Sequence, residues 1–198
     1  MQSKTIYNTQ KLVLLAILTA IVITLQVLAV LVPTYPFNYN LALIPIVIAA
    51  AMISPLAACW LGIVFGTVVL LADPVIIFFW THNPLMTVLV VLIRGALSGY
   101  FAGIIYKMLE DKGKLTAVII AAVVCAITNT GIFVVGAYAF FLPVLESFGI
   151  EGLANIASYA FSVMITINFL IELSICLVFS PVIIRLIRFG ESTFKKNK

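Results

Sequence analysis

Charge is what this chain has least of. Only 9% of its 198 residues are Asp, Glu, Lys or Arg, while 64% are hydrophobic. A water-soluble domain carries roughly a quarter charged residues and about half apolar ones. This composition cannot cover itself with polar surface, which excludes a soluble globular fold and predicts an integral membrane protein of one bundle. Histidine occurs once, as His82, and cysteine three times, as Cys59, Cys125 and Cys176. Each cysteine lies in an apolar run without metal-ligand spacing, so each reads as a small packing residue, and neither a disulfide framework nor a redox site is expected. There is no G-x-x-x-x-G-K-[ST] loop, no H-E-x-x-H pair and no G-x-S-x-G turn. The chain is therefore not expected to hydrolyse ATP by itself or to hold a metal, and no nucleophile turn points to an enzyme. No internal repeat is visible, which weighs against an inverted-repeat carrier.

What the chain does have is long apolar runs. A helix needs about 20 apolar residues to cross the hydrocarbon core, and turn signals divide the chain into six candidate spans: 12–32, 41–53, 56–72, 85–106, 115–142 and 158–187. The first follows Lys4 and Lys11 as a secretory signal would. It is long enough to span, and no A-x-A-like cleavage site follows it, so it is expected to be a retained helix. The second is short against the usual minimum of about 17 residues, and its neighbours are expected to shield it. Between spans three and four the sequence predicts a loop through Asp73-Pro74, Trp80, His82 and Asn83-Pro84. The polar turn "KMLEDKGK" separates spans four and five.

Charge placement supports six spans. Lys4, Lys11, Lys107, Lys112, Lys114, Arg185, Arg188, Lys195, Lys196 and Lys198 then fall on one side, and the opposite loops hold Asp73, Glu146 and Glu151 without Lys or Arg. By the positive-inside rule the expectation is an all-α, six-transmembrane-helix bundle, a single domain over residues 1–198 with both termini cytoplasmic.

Arg94 lies nine residues from either Leu85 or Gly103, too deep to snorkel. A cation there costs roughly 2.5–3.5 kcal/mol on the insertion scale. It must face the bundle interior or a wet cavity, either in a structural ion pair with Glu172 or gripping an anionic ligand group. The two roles combine if Glu172 orients Arg94 in the empty protein. Asn129 and Thr130 lie midway along span five beside Gly131, and Asn168 lies one turn before Glu172 on the same face of span six. A single buried amide ordinarily just bonds a neighbouring helix. Amides at matched depth on two helices, with an arginine on a third, point to convergent polar groups around a small ligand. The outer loops add Tyr35, Phe37, Asn38, Tyr39 and Asn40, then Trp80, His82 and Asn83. These make either an interfacial aromatic belt or a lid, and His82 reads as a loop residue. The candidate substrate-binding set is Arg94, Asn129, Thr130, Asn168, Asn83, Tyr39, Asn40 and Trp80. Separately, Ala16, Ala20 and Thr24 recur every four residues in "AILTAIVIT". This small-residue stripe lets another helix approach closely, whether from this chain or another protein.

Six spans with cytoplasmic ends, the Ala16-x-x-x-Ala20 motif, and an outer loop leading into "LALIPIVIAAAMISPLAACWLG" together resemble the S components of energy-coupling factor (ECF) vitamin transporters, over essentially the whole chain. The last stretch is similar to the family's I-P-(x)n-G-P-x-x-G region, with Ser54 and Ala58 in place of small glycines. The resemblance implies a prokaryotic, multi-pass plasma-membrane subunit that captures a vitamin from outside and has no catalytic chemistry or cofactor of its own. It also implies docking, through Ala16 and Ala20, onto a transmembrane coupling subunit with two ATPases that use the ATP, and a lid at 33–40. No nucleic acid is implied. The S component is thought to topple in the membrane and release its vitamin inward.

Arg94 argues for a carboxylate and disfavours cationic thiamine. Flavin-binding members carry a conspicuous lysine in the region of the fourth to sixth spans, and this chain has none in those spans. Pantothenate, with one carboxylate, one amide and two hydroxyls, suits Arg94, Asn129 and Asn168; folate and biotin also carry carboxylates. Two other classes compete. An autonomous carrier or channel would use Arg94, Glu172 and Asp73 for protons or ions, and would need no partner protein. A lipid-acting enzyme would use Glu172 or His82 as acid or base, but lacks a paired-carboxylate or metal signature.

Overall fold

The structure, a computed structural model, describes residues 2–31, 41–141, 166–167, 169–185 and 187. Its helices are α1 (Gln2–Leu31), α2 (Leu43–Met52), α3 (Pro55–Ala72), α4 (Pro74–His82), α5 (Pro84–Leu109) and α6 (Lys114–Phe140). Residues 169–185 are also helical, and no strand occurs among the described residues. Among the described residues four stretches are long and apolar enough to cross a membrane: Thr9–Leu31, Pro55–Ala72, Pro84–Lys112 and Lys114–Phe140.

Three features correct the expected layout. The predicted second span is a ten-residue helix, about 15 Å long against a hydrocarbon core of about 30 Å. It does not cross alone. A helix apolar all round belongs inside a protein, and α2 buries Leu43 and the whole run from Pro45 to Ala50. The predicted loop between spans three and four contains α4. Proline is tolerated in the first helical turn, where an N–H would lack a partner anyway, and α4 begins at Pro74. Its Ile76 and Phe79, three residues apart, point inward while Ile77, Phe78 and Trp80 are exposed. The "KMLEDKGK" turn is mostly helical too. α5 runs to Leu109 and a 3-10 turn covers Glu110–Lys112. Gly113 alone makes the break, at a φ of 146° that side chains rarely adopt.

The breaks between α2 and α3 and between α4 and α5 use one device, a polar cap followed by proline. Ser54 Oγ accepts from the Ala57 N–H at 3.1 Å ahead of α3, and Asn83 Oδ1 accepts from the Met86 N–H at 3.3 Å ahead of α5. Each satisfies a donor that the helix start leaves open.

The tightest contact in the fold joins α3 to α5. Gly66 meets Val91, Gly62 meets Gly95, Ala58 meets Gly99 and Pro55 meets Gly103, so position falls on one helix as it rises on the other. The helices are antiparallel, with small residues every four positions on both. A methyl group on Gly62 would overlap the Gly95 carbonyl, and one on Gly95 would overlap the Gly62 carbonyl. In a bilayer, where lipid tails are as apolar as leucine, such backbone approach is a main source of helix attraction. The sequence signal was Gly95-x-x-x-Gly99-x-x-x-Gly103, which the sequence reading passed over.

α1 packs on this core through Leu18, Val22 and Gln26, four residues apart and all buried. Ala16, Ala20 and Thr24 lie outside that face and are exposed. Among the described residues the small-residue stripe is left exposed.

Candidate functional site

Arg94 sits on α5 beside Gly95, where the glycine contact pins α5 against α3. Its side chain is 9% exposed. The guanidinium lies 4.9 Å over the centre of the Phe133 ring of α6, an attraction that strengthens when water is excluded. Phe133 is one turn beyond Asn129 on α6, so both occupy one face. Asn129 is 2% exposed. Its Nδ2 donates to Glu172 Oε1 at 3.4 Å, and Thr130 Oγ1 donates to Glu172 Oε2 at 3.2 Å. Both oxygens of a buried carboxylate are thus engaged by α6. Asp73 and Glu172 are the acidic groups whose charges bear on Arg94. The described hydrogen bonds of the Glu172 carboxylate run to Asn129 and Thr130.

Two atoms in this polar layer stand out. Among the described residues, Arg94 Nε and Asn129 Oδ1 are buried without a hydrogen-bond partner. Leaving such a group unpaired costs about 1–3 kcal/mol, more when charged, and folded proteins hold few of them. One is a cationic donor and the other a neutral acceptor.

An aromatic recess adjoins the layer. Phe79 of α4 stands edge-on to Phe133 at 6.3 Å and to Phe141 at 4.8 Å. With Ile76, Thr87, Val90, Val91 and Ala137 these rings line a space of about 230 Å³, counting its open mouth. Phe133 is shared, with Arg94 on its face and the recess at its edge. Chemically the arrangement offers a fixed cation, an acceptor and an apolar wall.

The structure brings together Arg94, Asn129 and Thr130 of the predicted set, and adds Glu172 directly to them. It does not bring Asn83 or Trp80 there. Asn83 spends its side-chain oxygen on the α5 cap and lies about 16 Å from Arg94 along the helix, and Trp80 is on the exposed side of α4. Tyr39, Asn40, Asn168 and the 33–40 stretch lie outside the described residues. Phe79, Phe133 and Phe141 were missed. On α6 the signal was present as Asn129, Phe133, Ala137 and Phe141, every fourth residue on one face. Phe79 had none, because its segment reads as a loop.

The sequence model of a family described as ECF transporter, substrate-specific component, matches residues 10–184. No curated protein matches, and no solved structure matches.

Proposed function

The chain belongs to the family of ECF transporter substrate-specific components, and from that premise we propose that it is the high-affinity pantothenate-binding subunit of an ECF importer. The family is one of transporter components that bind a small-molecule substrate and work with the ECF module; it is not a family of enzymes. The observation that carries the choice of ligand is Arg94, buried with its Nε unpartnered among the described residues. A guanidinium so placed suits a carboxylate. Pantothenate supplies one, along with hydroxyl and amide donors for Asn129 Oδ1. Thr130 supports the layer through Glu172, while Asn168, Tyr39 and Asn40 are proposed to complete the site.

Calorimetric titration of the purified protein with pantothenate, riboflavin, folate, biotin and thiamine tests this reading. Tight one-to-one binding of pantothenate alone is the expected result. One observation favours a second reading: Glu172 is buried in the same layer, bonded to Asn129, and an acid there offsets the charge of Arg94, which suits a vitamin without net negative charge. Tight binding of riboflavin, with none of pantothenate, would decide for it.

The proposal extends to partners. Ala16 and Ala20 are exposed on α1, free to receive a helix of a transmembrane coupling subunit whose two ATPases consume the ATP; this chain binds no cofactor itself. The protein is placed in the plasma membrane with both termini cytoplasmic. Ala16→Leu combined with Ala20→Leu is expected to cut pantothenate uptake by cells co-expressing the partners about tenfold or more, by filling a close helix contact. Binding to the purified variant should be unchanged. Normal uptake by that variant would remove the docking assignment.

A further inference from the structure

Glu172 fixes more than charge. The end of the Asn129 carboxamide turned toward Glu172 is its nitrogen, which donates to the carboxylate Oε1 at 3.4 Å. Thr130 holds the other oxygen at 3.2 Å, which keeps the carboxylate from turning away. The carboxamide oxygen is left facing elsewhere, buried and unpartnered among the described residues. An asparagine side chain is nearly symmetric in shape, so only such a partner decides which end is presented. The layer therefore has a set polarity, a donor at Arg94 Nε and an acceptor at Asn129 Oδ1.

We infer that Glu172 is a positioning residue: by holding the Asn129 carboxamide in one orientation, it makes the site select ligands that carry an O–H or N–H donor beside their acidic group. The inference rests on the proposed role of Arg94 and Asn129 as ligand-binding residues, and it adds a rule for which acidic molecules they accept. Without the carboxylate the carboxamide is free to turn over and offer its NH₂ group. A ligand acceptor then fits as well as a donor. A merely structural Glu172 would change how tightly every ligand binds. A positioning Glu172 changes the preference between ligands.

The test compares pantothenate with three analogues, each lacking one donor: either hydroxyl replaced by hydrogen, or the amide N–H replaced by an ester oxygen. For the wild-type protein at least one analogue should bind about tenfold or more weaker, the effect of leaving one buried acceptor unpaired. In Glu172→Gln, whose amide can donate as well as accept, that ratio should fall to within about threefold. In the double variant Asn129→Asp with Glu172→Gln the acid and amide change places. An acceptor faces the ligand again, and the wild-type ratio should return. An unchanged ratio in Glu172→Gln would overturn the inference and leave the pantothenate reading intact. A wild-type protein that discriminates against none of the analogues would overturn it too. Failure of the wild-type protein to bind pantothenate would overturn both. If Glu172→Gln does not fold, Glu172→Met takes its place, since it keeps the length and removes the carboxylate: the same fall in the ratio is expected, and an unchanged ratio overturns the inference.

Discussion

Arg94→Ala is expected to abolish pantothenate binding in a protein that still folds and inserts. Truncating one partner of a buried, hydrogen-bonded charge pair typically costs about 2–5 kcal/mol, which is a loss of roughly thirtyfold to several thousandfold in affinity. The upper part of that range applies here. The side chain is 9% exposed, so water is poorly placed to take over its role. Folding should survive for two reasons. Removing a buried cation relieves its insertion cost of about 2.5–3.5 kcal/mol, and the Glu172 carboxylate keeps its hydrogen bonds to Asn129 and Thr130. Arg94→Lys should fall between, because an ammonium keeps the charge but not the planar fork. Isothermal titration with a parallel melting curve separates the outcomes. Unchanged affinity would return Arg94 to a structural role, and loss of the folded state would show that its pairing holds the bundle together.

Gly95→Leu is expected to be among the most damaging single changes in the chain, although it exchanges one apolar residue for another and is silent to hydropathy. The Gly95 Cα faces the Gly62 backbone, and even a methyl group there overlaps the Gly62 carbonyl. Overpacking of this kind costs typically about 1–3 kcal/mol and occasionally more. For Gly95→Ala the upper end is expected, since the obstacle is backbone and cannot rotate away. For leucine the helices must part, and with them the stretch of α5 that carries Arg94. Gly131→Ala is the control. Among the described residues nothing lies within 4 Å of a methyl group at Gly131, and alanine favours the helix by up to about 1 kcal/mol over glycine. Thermal unfolding in detergent should show Gly95→Ala well below wild type and Gly131→Ala at or above it. Equal melting temperatures for the two would contradict so close an α3–α5 contact.

The sequence disclosed most where the bilayer imposes the constraint. The long spans at α1, α3, α5 and α6 are legible because hydrocarbon demands apolar length, and Arg94 is legible because charge is expensive there. Depth along a helix can also be counted, which puts Asn129 level with Asn168 and makes Glu172 a candidate partner for Arg94. Direction could not be counted. Helices apolar on every side show little periodicity, so nothing in one strip of letters says that Phe133 turns beneath Arg94 or that Gly62 turns onto Gly95. Local punctuation misled in the other direction. Asp73-Pro74 and Asn83-Pro84 read as loop signals, whereas proline in a first helical turn marks where a helix begins. Both α4 and its ring Phe79 were hidden by that ambiguity. The exposed Ala16 and Ala20 show the reverse case, in which a pattern was legible but its partner was not, until the rest of the bundle packed without it.

The claim at the centre of this account is that Arg94 receives a carboxylate, and the most direct measurement leaves the protein unaltered. Wild-type protein should be titrated with pantothenate and with panthenol, the same molecule bearing a primary alcohol in place of its carboxylate. Tight binding of the acid, with the alcohol weaker by about a hundredfold or more, is the expected result for a charge-assisted pair in a buried site. Equal binding of the two would contradict it and leave the buried arginine without a ligand to explain it.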